Sequence, residues 1–153
     1  YLTDVERNGD IVEMTSYAPM LCKDGHSNWN PDMIYFSNTN VRTTPAYEVQ
    51  RLFSVYSGDT WIKTEISGDS IGDYRHRLGV SLVTDSHTGK RYLKLVNALP
   101  ATLQLSVKGL DVPSAVECEQ LSGDVEDQRA KTVRITTDSP LTLPPYTLRV
   151  IEL

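Results

Sequence analysis

Leu78-Gly-Val-Ser-Leu-Val-Thr-Asp-Ser-His-Thr-Gly-Lys-Arg-Tyr-Leu-Lys-Leu-Val-Asn97 reads as two strands flanking a turn. Leu78, Val80 and Leu82 fall on one face of the first run. Leu93 and Leu95 share a face of the second, and His87-Thr-Gly89 lies in the turn between them. Successive side chains leave a strand on opposite sides, so a period of two marks a strand with one buried face. The pattern extends outward from this pair. Ile62, Thr64 and Ile66 precede it; Leu103, Leu105 and Val107, then Val116 and Cys118, then Val133 and Ile135 follow it, and Tyr146, Leu148 and Val150 close it. Seven or so short strands separated by turn residues predict a mainly β fold, an antiparallel sandwich of jelly-roll or Greek-key type over residues 58–153. About 95 residues are enough for such a sandwich to hold its own core.

Upstream of residue 58 the period changes from two to that of a helix. Asp10-Ile-Val-Glu13 has the form of a capping box, and Ile11, Met14, Ala18 and Leu21 recur at helical spacing until Pro19 interrupts the turns. Residues 2–8 form a shorter helical turn or two, set off by Asn8-Gly9. A second helix is expected from Thr44-Pro45, with Thr as N-cap and Pro at the first helical position. Val49, Leu52, Phe53 and Tyr56 give it one apolar stripe, and Gly58 is a suitable stop. Met33-Ile-Tyr-Phe36 between the helices reads as a buried strand. The order is helix, strand, helix, and one strand makes no sheet by itself.

Composition excludes several functional classes. Of 153 residues 39% are hydrophobic and 23% charged, a globular balance. The formal charge is -5 and Lys and Arg are scattered, so nucleic acid is not an expected partner. No apolar run reaches the roughly 18 residues of a membrane span, and no membrane partner is expected. The start, Tyr1-Leu-Thr-Asp-Val-Glu-Arg-Asn8, lacks a signal peptide's apolar stretch and begins without Met, as a piece of a longer chain would. Cys22 and Cys118 are expected as free thiols rather than a disulfide. No Cys or His spacing suits a metal, and no cofactor is expected.

Glu6-Arg-Asn-Gly-Asp-Ile-Val-Glu-Met-Thr-Ser-Tyr-Ala-Pro19 resembles the segment that follows the catalytic nucleophile in family 51 α-L-arabinofuranosidases. The likeness continues through Trp29-Asn-Pro-Asp-Met-Ile-Tyr-Phe36, Asn38-Thr39 and Thr44-Pro-Ala-Tyr-Glu-Val-Gln50, and more loosely at Lys94-Leu-Val-Asn97 and Leu143-Pro-Pro-Tyr-Thr-Leu148. It spans the whole chain and is specific over residues 6–58. The resemblance implies a (β/α)8 barrel followed by a β-sandwich, with residues 1–57 the end of the barrel and 58–153 the sandwich. It further implies a retaining glycosidase acting on terminal arabinofuranosyl groups of arabinoxylan or arabinan. Retention needs two carboxylates about 5 Å apart. In the family both are glutamates on earlier barrel strands, so this chain is expected to carry no catalytic residue.

The chain's own polar residues agree with that expectation. Glu13 and Glu48 read as helix-start residues, Glu117 and Glu119 as solvated charges on a strand, and His26, His76 and His87 as surface residues near turns. The segment His26-Ser-Asn-Trp-Asn-Pro-Asp32 is the best candidate for function. If Met33 to Phe36 is a barrel strand, ligand contacts belong at its C-terminal end and in the loop after it, around Asn38 to Arg42, which holds Asn38 and Asn40. Those two suit sugar hydroxyls or turn geometry. Trp29 and Asn30 precede the strand, which puts them at the opposite end unless their loop folds up; Trp29 reads as a packing residue or a sugar contact. Trp61, Tyr74 and Tyr92 read as interface aromatics ahead of a sugar-stacking platform, and the alternative function is a carbohydrate-binding sandwich. The expected partners are the missing barrel and an arabinose-containing saccharide, with self-association through residues 1–57, or docking of its helices on the sandwich, in isolation. An extracellular or periplasmic location is expected over the cytoplasm.

Overall fold

The computed structural model describes residues 1–68, 72–123, 128–137 and 140–153. Eleven strands and two α-helices occur among them. Helix α1 spans Leu2–Arg7 and α2 spans Pro45–Val55. Three short strands lie between the helices: β1 (Leu21–Lys23), β2 (Ile34–Phe36) and β3 (Val41–Thr43). The remaining strands are β4 (Thr60–Ile62), β5 (Leu78–Thr84), β6 (Arg91–Asn97), β7 (Leu103–Leu105), β8 (Ala115–Leu121), β9 (Lys131–Thr136), β10 (Leu141–Leu143) and β11 (Thr147–Glu152). A 3-10 helix, Gly72–Arg77, leads into β5.

The centre of the molecule is a six-stranded antiparallel sheet in the order β4-β5-β6-β11-β8-β9. A two-stranded antiparallel sheet, β7 with β10, covers one face. The register sets Leu82 opposite Leu93, Val80 opposite Leu95, and Ile151 opposite both Leu93 and Cys118. These side chains meet Leu141 and Leu143 of the small sheet in the sandwich core. Arg149 points into the same layer and ties the sheets together. Its Nε donates to Gln120 Oε1 at 3.1 Å and its Nη1 to the Thr142 carbonyl at 2.8 Å.

The opposite face of the large sheet is covered too, by the two helices. Leu52 of α2 is fully buried against Leu121, Leu148 and Val150, with Val49, Phe53 and Tyr56 around it. Helix α1 lies on β5 so closely that a Cβ on Gly79 would stand 2.8 Å from Thr3 Oγ1. The middle strands are therefore buried residue after residue, Tyr92 to Leu95 in β6 and Thr147 to Ile151 in β11. Continuous burial of that kind belongs to a strand with packing on both sides.

This two-sided burial corrects one part of the sequence reading. Leu148 and Val150 do not face the sandwich core; they pack under α2, and Arg149 and Ile151 face inward. The helix expected from Ile11 to Leu21 is absent. The backbone N–H groups of Ile11 and Val12 bond back to the Asn8 carbonyl, closing the turn after α1 instead of opening a new helix. Ile11 and Met14 are 77% and 84% exposed, so no surface holds that stripe in place. The lone strand of the sequence reading has two neighbours, β1 in parallel and β3 antiparallel. Helix α2 forms as expected, though Thr44 Oγ1 donates to the Met33 carbonyl and makes no cap bond to the helix. Gly58 does not stop that helix, which ends at Val55; it passes close to β5, where a Cβ would meet the Thr84 carbonyl oxygen at 2.5 Å. Strand β4 is shorter than the Ile62 to Ile66 alternation predicted, and β10 was not anticipated. Asp124 to Lys131 reads from its sequence as a charged loop, and its residues 124–127 lie outside the described residues. Cys22 and Cys118 are free and buried.

Candidate functional site

The segment Asp24 to Asp32 connects β1 to β2. The two strands are parallel, so this connection leaves from the C-terminal end of β1, the end at which the β2–β3 turn also lies. It then folds across the face of the three-stranded sheet β1-β2-β3 that carries Tyr35 and Arg42. Two hydroxyls hold its shape. Ser27 Oγ accepts from the Trp29 backbone N–H at 3.0 Å and donates to Asp32 Oδ2 at 2.9 Å. Tyr35 Oη donates to Asn30 Oδ1 at 2.7 Å and accepts from the Asp32 N–H at 2.9 Å. Asp32 is only 1% exposed, a buried carboxylate fixed at the base of the loop.

The result is an open groove of about 480 Å³ lined by Asp24, Ser27, Trp29, Asn30, Tyr35 and Arg42, among others. Arg42 stacks over the Tyr35 ring at 4.7 Å and reaches Asp24 Oδ1 at 3.4 Å. Trp29 stands 63% exposed on the rim. An exposed indole beside planar amide, carboxylate and guanidinium groups can stack on a ring and bond its hydroxyls. Among the described residues no group of three or more His, Cys, Asp or Glu is disposed to hold a metal ion.

The structure brings Trp29 and Asn30 together and leaves Asn38 and Asn40 apart from them. Both of the latter are exposed in the β2–β3 turn, outside the groove lining. That turn is closed by Ser37, whose N–H donates to the Asn40 carbonyl and whose Oγ accepts from the N–H groups of Thr39 and Asn40. Sequence reasoning singles out the segment His26 to Asp32 and the loop Asn38 to Arg42, but gives no individual role to Ser27, Asp32, Tyr35 or Arg42. Asp32 and Tyr35 lie inside the quoted Trp29–Phe36 motif, but Arg42 shows its role only once β3 is paired with β2.

The aromatic trio of the sandwich does not form one surface. Tyr92 is 7% exposed, with its ring edge-on to Tyr56 of α2 at 5.4 Å. Trp61 is half-buried, opposite Val83 on the helix-covered face, and Tyr74 is exposed on the 3-10 helix.

Residues 1–140 match the family model described as the α-L-arabinofuranosidase C-terminal domain. This chain belongs to that family. The chain is also 37% identical over 115 residues to α-L-arabinofuranosidase 1 of Arabidopsis thaliana, covering 72% of this chain and 16% of the relative. It is 35% identical over 107 residues to the extracellular exo-α-L-arabinofuranosidase of Streptomyces chartreusis, covering 67% of this chain and 13% of the relative. The chain therefore spans less than a fifth of either relative's length. Among solved structures, the arabinose-bound GH51 α-L-arabinofuranosidase MgGH51 superposes with a TM-score of 0.78 at 27% identity, over 99% of this chain and 26% of that one.

Proposed function

We propose that this chain is the non-catalytic C-terminal part of a retaining α-L-arabinofuranosidase acting on terminal arabinofuranosyl groups of arabinoxylan or arabinan. Residues 1–57 are the end of its catalytic barrel and residues 58–153 its sandwich domain. The sandwich is structural and holds the barrel's last helices. The observation that carries this reading is the central sheet, whose helix-side face is sealed by Leu52, Val49 and Phe53 of α2 and by Thr3 of α1. A free-standing sugar-binding sandwich would keep an aromatic face open, whereas Tyr92 is covered by Tyr56.

Within the full enzyme, Trp29 stacks on a sugar ring at the barrel mouth and Asn30 bonds its hydroxyls. Asn38 and Asn40 provide further contacts through their side-chain amides, since the turn itself is closed by Ser37 and backbone groups. The partners are the rest of the barrel and an arabinose-containing saccharide. Export from the cytoplasm is the expected location.

The test is an assay of the purified chain on an aryl α-L-arabinofuranoside. We expect no release of the aryl group above the buffer rate. Turnover proportional to protein, and lost when one of this chain's own carboxylates is replaced by its amide, would overturn the reading.

A further inference from the structure

The least expected side chain on the helix-covered face is Lys94. It lies in the middle of β6 and is 0% exposed. Its Nζ forms an ion pair with Glu6 Oε1 of α1 and sits 5.0 Å from the centroid of the Phe53 ring of α2. Its cross-strand neighbours are Ser81 on β5 and Val150 on β11.

The cluster is poorly arranged for stability alone. Glu6 Oε2 and Ser81 Oγ are both buried without a hydrogen-bond partner. Replacing a buried ion pair by apolar residues of similar volume is often neutral or stabilising, and the best-attested use of such a pair is to fix registry. The geometry suits that use. Thr3 and Glu6 are three apart and share a face of α1. Thr3 rests on Gly79, which pairs with Val96, and Glu6 reaches Lys94, two residues along the same face of β6. Apolar contact is non-directional and would tolerate a helix slid or rotated on the sheet. An ion pair to an ammonium shut off from water forms in one position only.

We propose that Lys94 and Glu6 are positioning residues, a register lock that fixes where α1 crosses the sandwich sheet. Resting on the reading of residues 1–57 as barrel, the lock is the point at which the sandwich sets the placement of the barrel's end. Its test needs no substrate, so its failure is separate from failure of that reading.

The experiment is amide hydrogen exchange on the full 153-residue chain, comparing wild type, Glu6→Gln and the double variant Lys94→Met with Glu6→Leu. The double variant is expected to keep its melting temperature within a few degrees of wild type. Exchange in residues 2–8 should nonetheless rise at least tenfold, with β5 and β6 still protected. Glu6→Gln, which keeps the shape and removes the charge, should loosen the same amides and serves if the double variant does not fold. Wild-type protection of residues 2–8 in either variant would overturn the lock. So would an equal loss of protection in α1 and the sheet, which marks a contribution to global stability and none to register.

Discussion

Asn97 shows how a single side chain can fasten a sandwich. It is 1% exposed at the end of β6, and its Nδ2 donates to the carbonyls of Ala101 at 2.8 Å and Pro144 at 2.8 Å. Its Oδ1 accepts from the Leu99 N–H at 3.0 Å. One amide thus organises the turn after β6 and pins the β10–β11 connection above it. Asn97→Ala leaves these part-buried backbone groups without partners, at about 1–3 kcal/mol for each group that water cannot reach. Urea denaturation should show a loss of about 3 kcal/mol with the slope unchanged; a loss below about 0.5 kcal/mol would contradict this assignment. The residue was legible in the sequence only through the likeness of Lys94-Leu-Val-Asn97 to a known family. Its partner at Pro144 lies 47 residues downstream, and no local pattern announces a contact at that separation. Lys94 was hidden for a related reason. A lysine in an alternating strand reads as solvent-facing until a second layer is known to cover it.

At the scale of elements, legibility followed length and the number of faces buried. Helix α2 could be read because Thr44-Pro45 opens it and Val49, Leu52, Phe53 and Tyr56 form one stripe that the sheet receives. The stripe Ile11, Met14, Ala18 and Leu21 had the same period and no such receiver, so helical spacing alone misled. Strands β1, β3, β7 and β10 are three residues each, too short to display a period; only the Leu103–Leu105 pair was recognised, by continuation of its neighbours. The alternation of Leu148 and Val150 does not say which layer they face, because β11 is buried on both sides. Leu52→Ala tests the helix layer directly. It removes the one α2 side chain that is fully buried, and a leucine-to-alanine cavity in a core costs about 2–5 kcal/mol. The variant should unfold at correspondingly lower denaturant. A cost under about 1 kcal/mol would mean that α2 is dispensable to the sheet.

For the whole molecule, the change of period near residue 58 made the sandwich legible, and the family resemblance supplied the rest. Docking of the helices on the sandwich is one of the two arrangements expected from the sequence; that they cover the face of the central sheet opposite the two-stranded sheet is not legible there. The groove at Trp29 was half legible: the Trp29–Phe36 motif pointed to it, while the hydroxyls of Ser27 and Tyr35 that shape it needed β1 and β2 side by side. A piece that serves as the closing part of an arabinofuranosidase should do so in another member's frame. The most direct measurement is a chimera in which this chain replaces the matching C-terminal part of the Arabidopsis α-L-arabinofuranosidase 1, 37% identical over 115 residues. We predict a soluble chimera that hydrolyses an aryl α-L-arabinofuranoside, whereas the same frame without the C-terminal part does not. A chimera that folds, with the circular dichroism of both parts intact, yet shows no turnover under conditions where the unaltered Arabidopsis protein is active, would contradict the account.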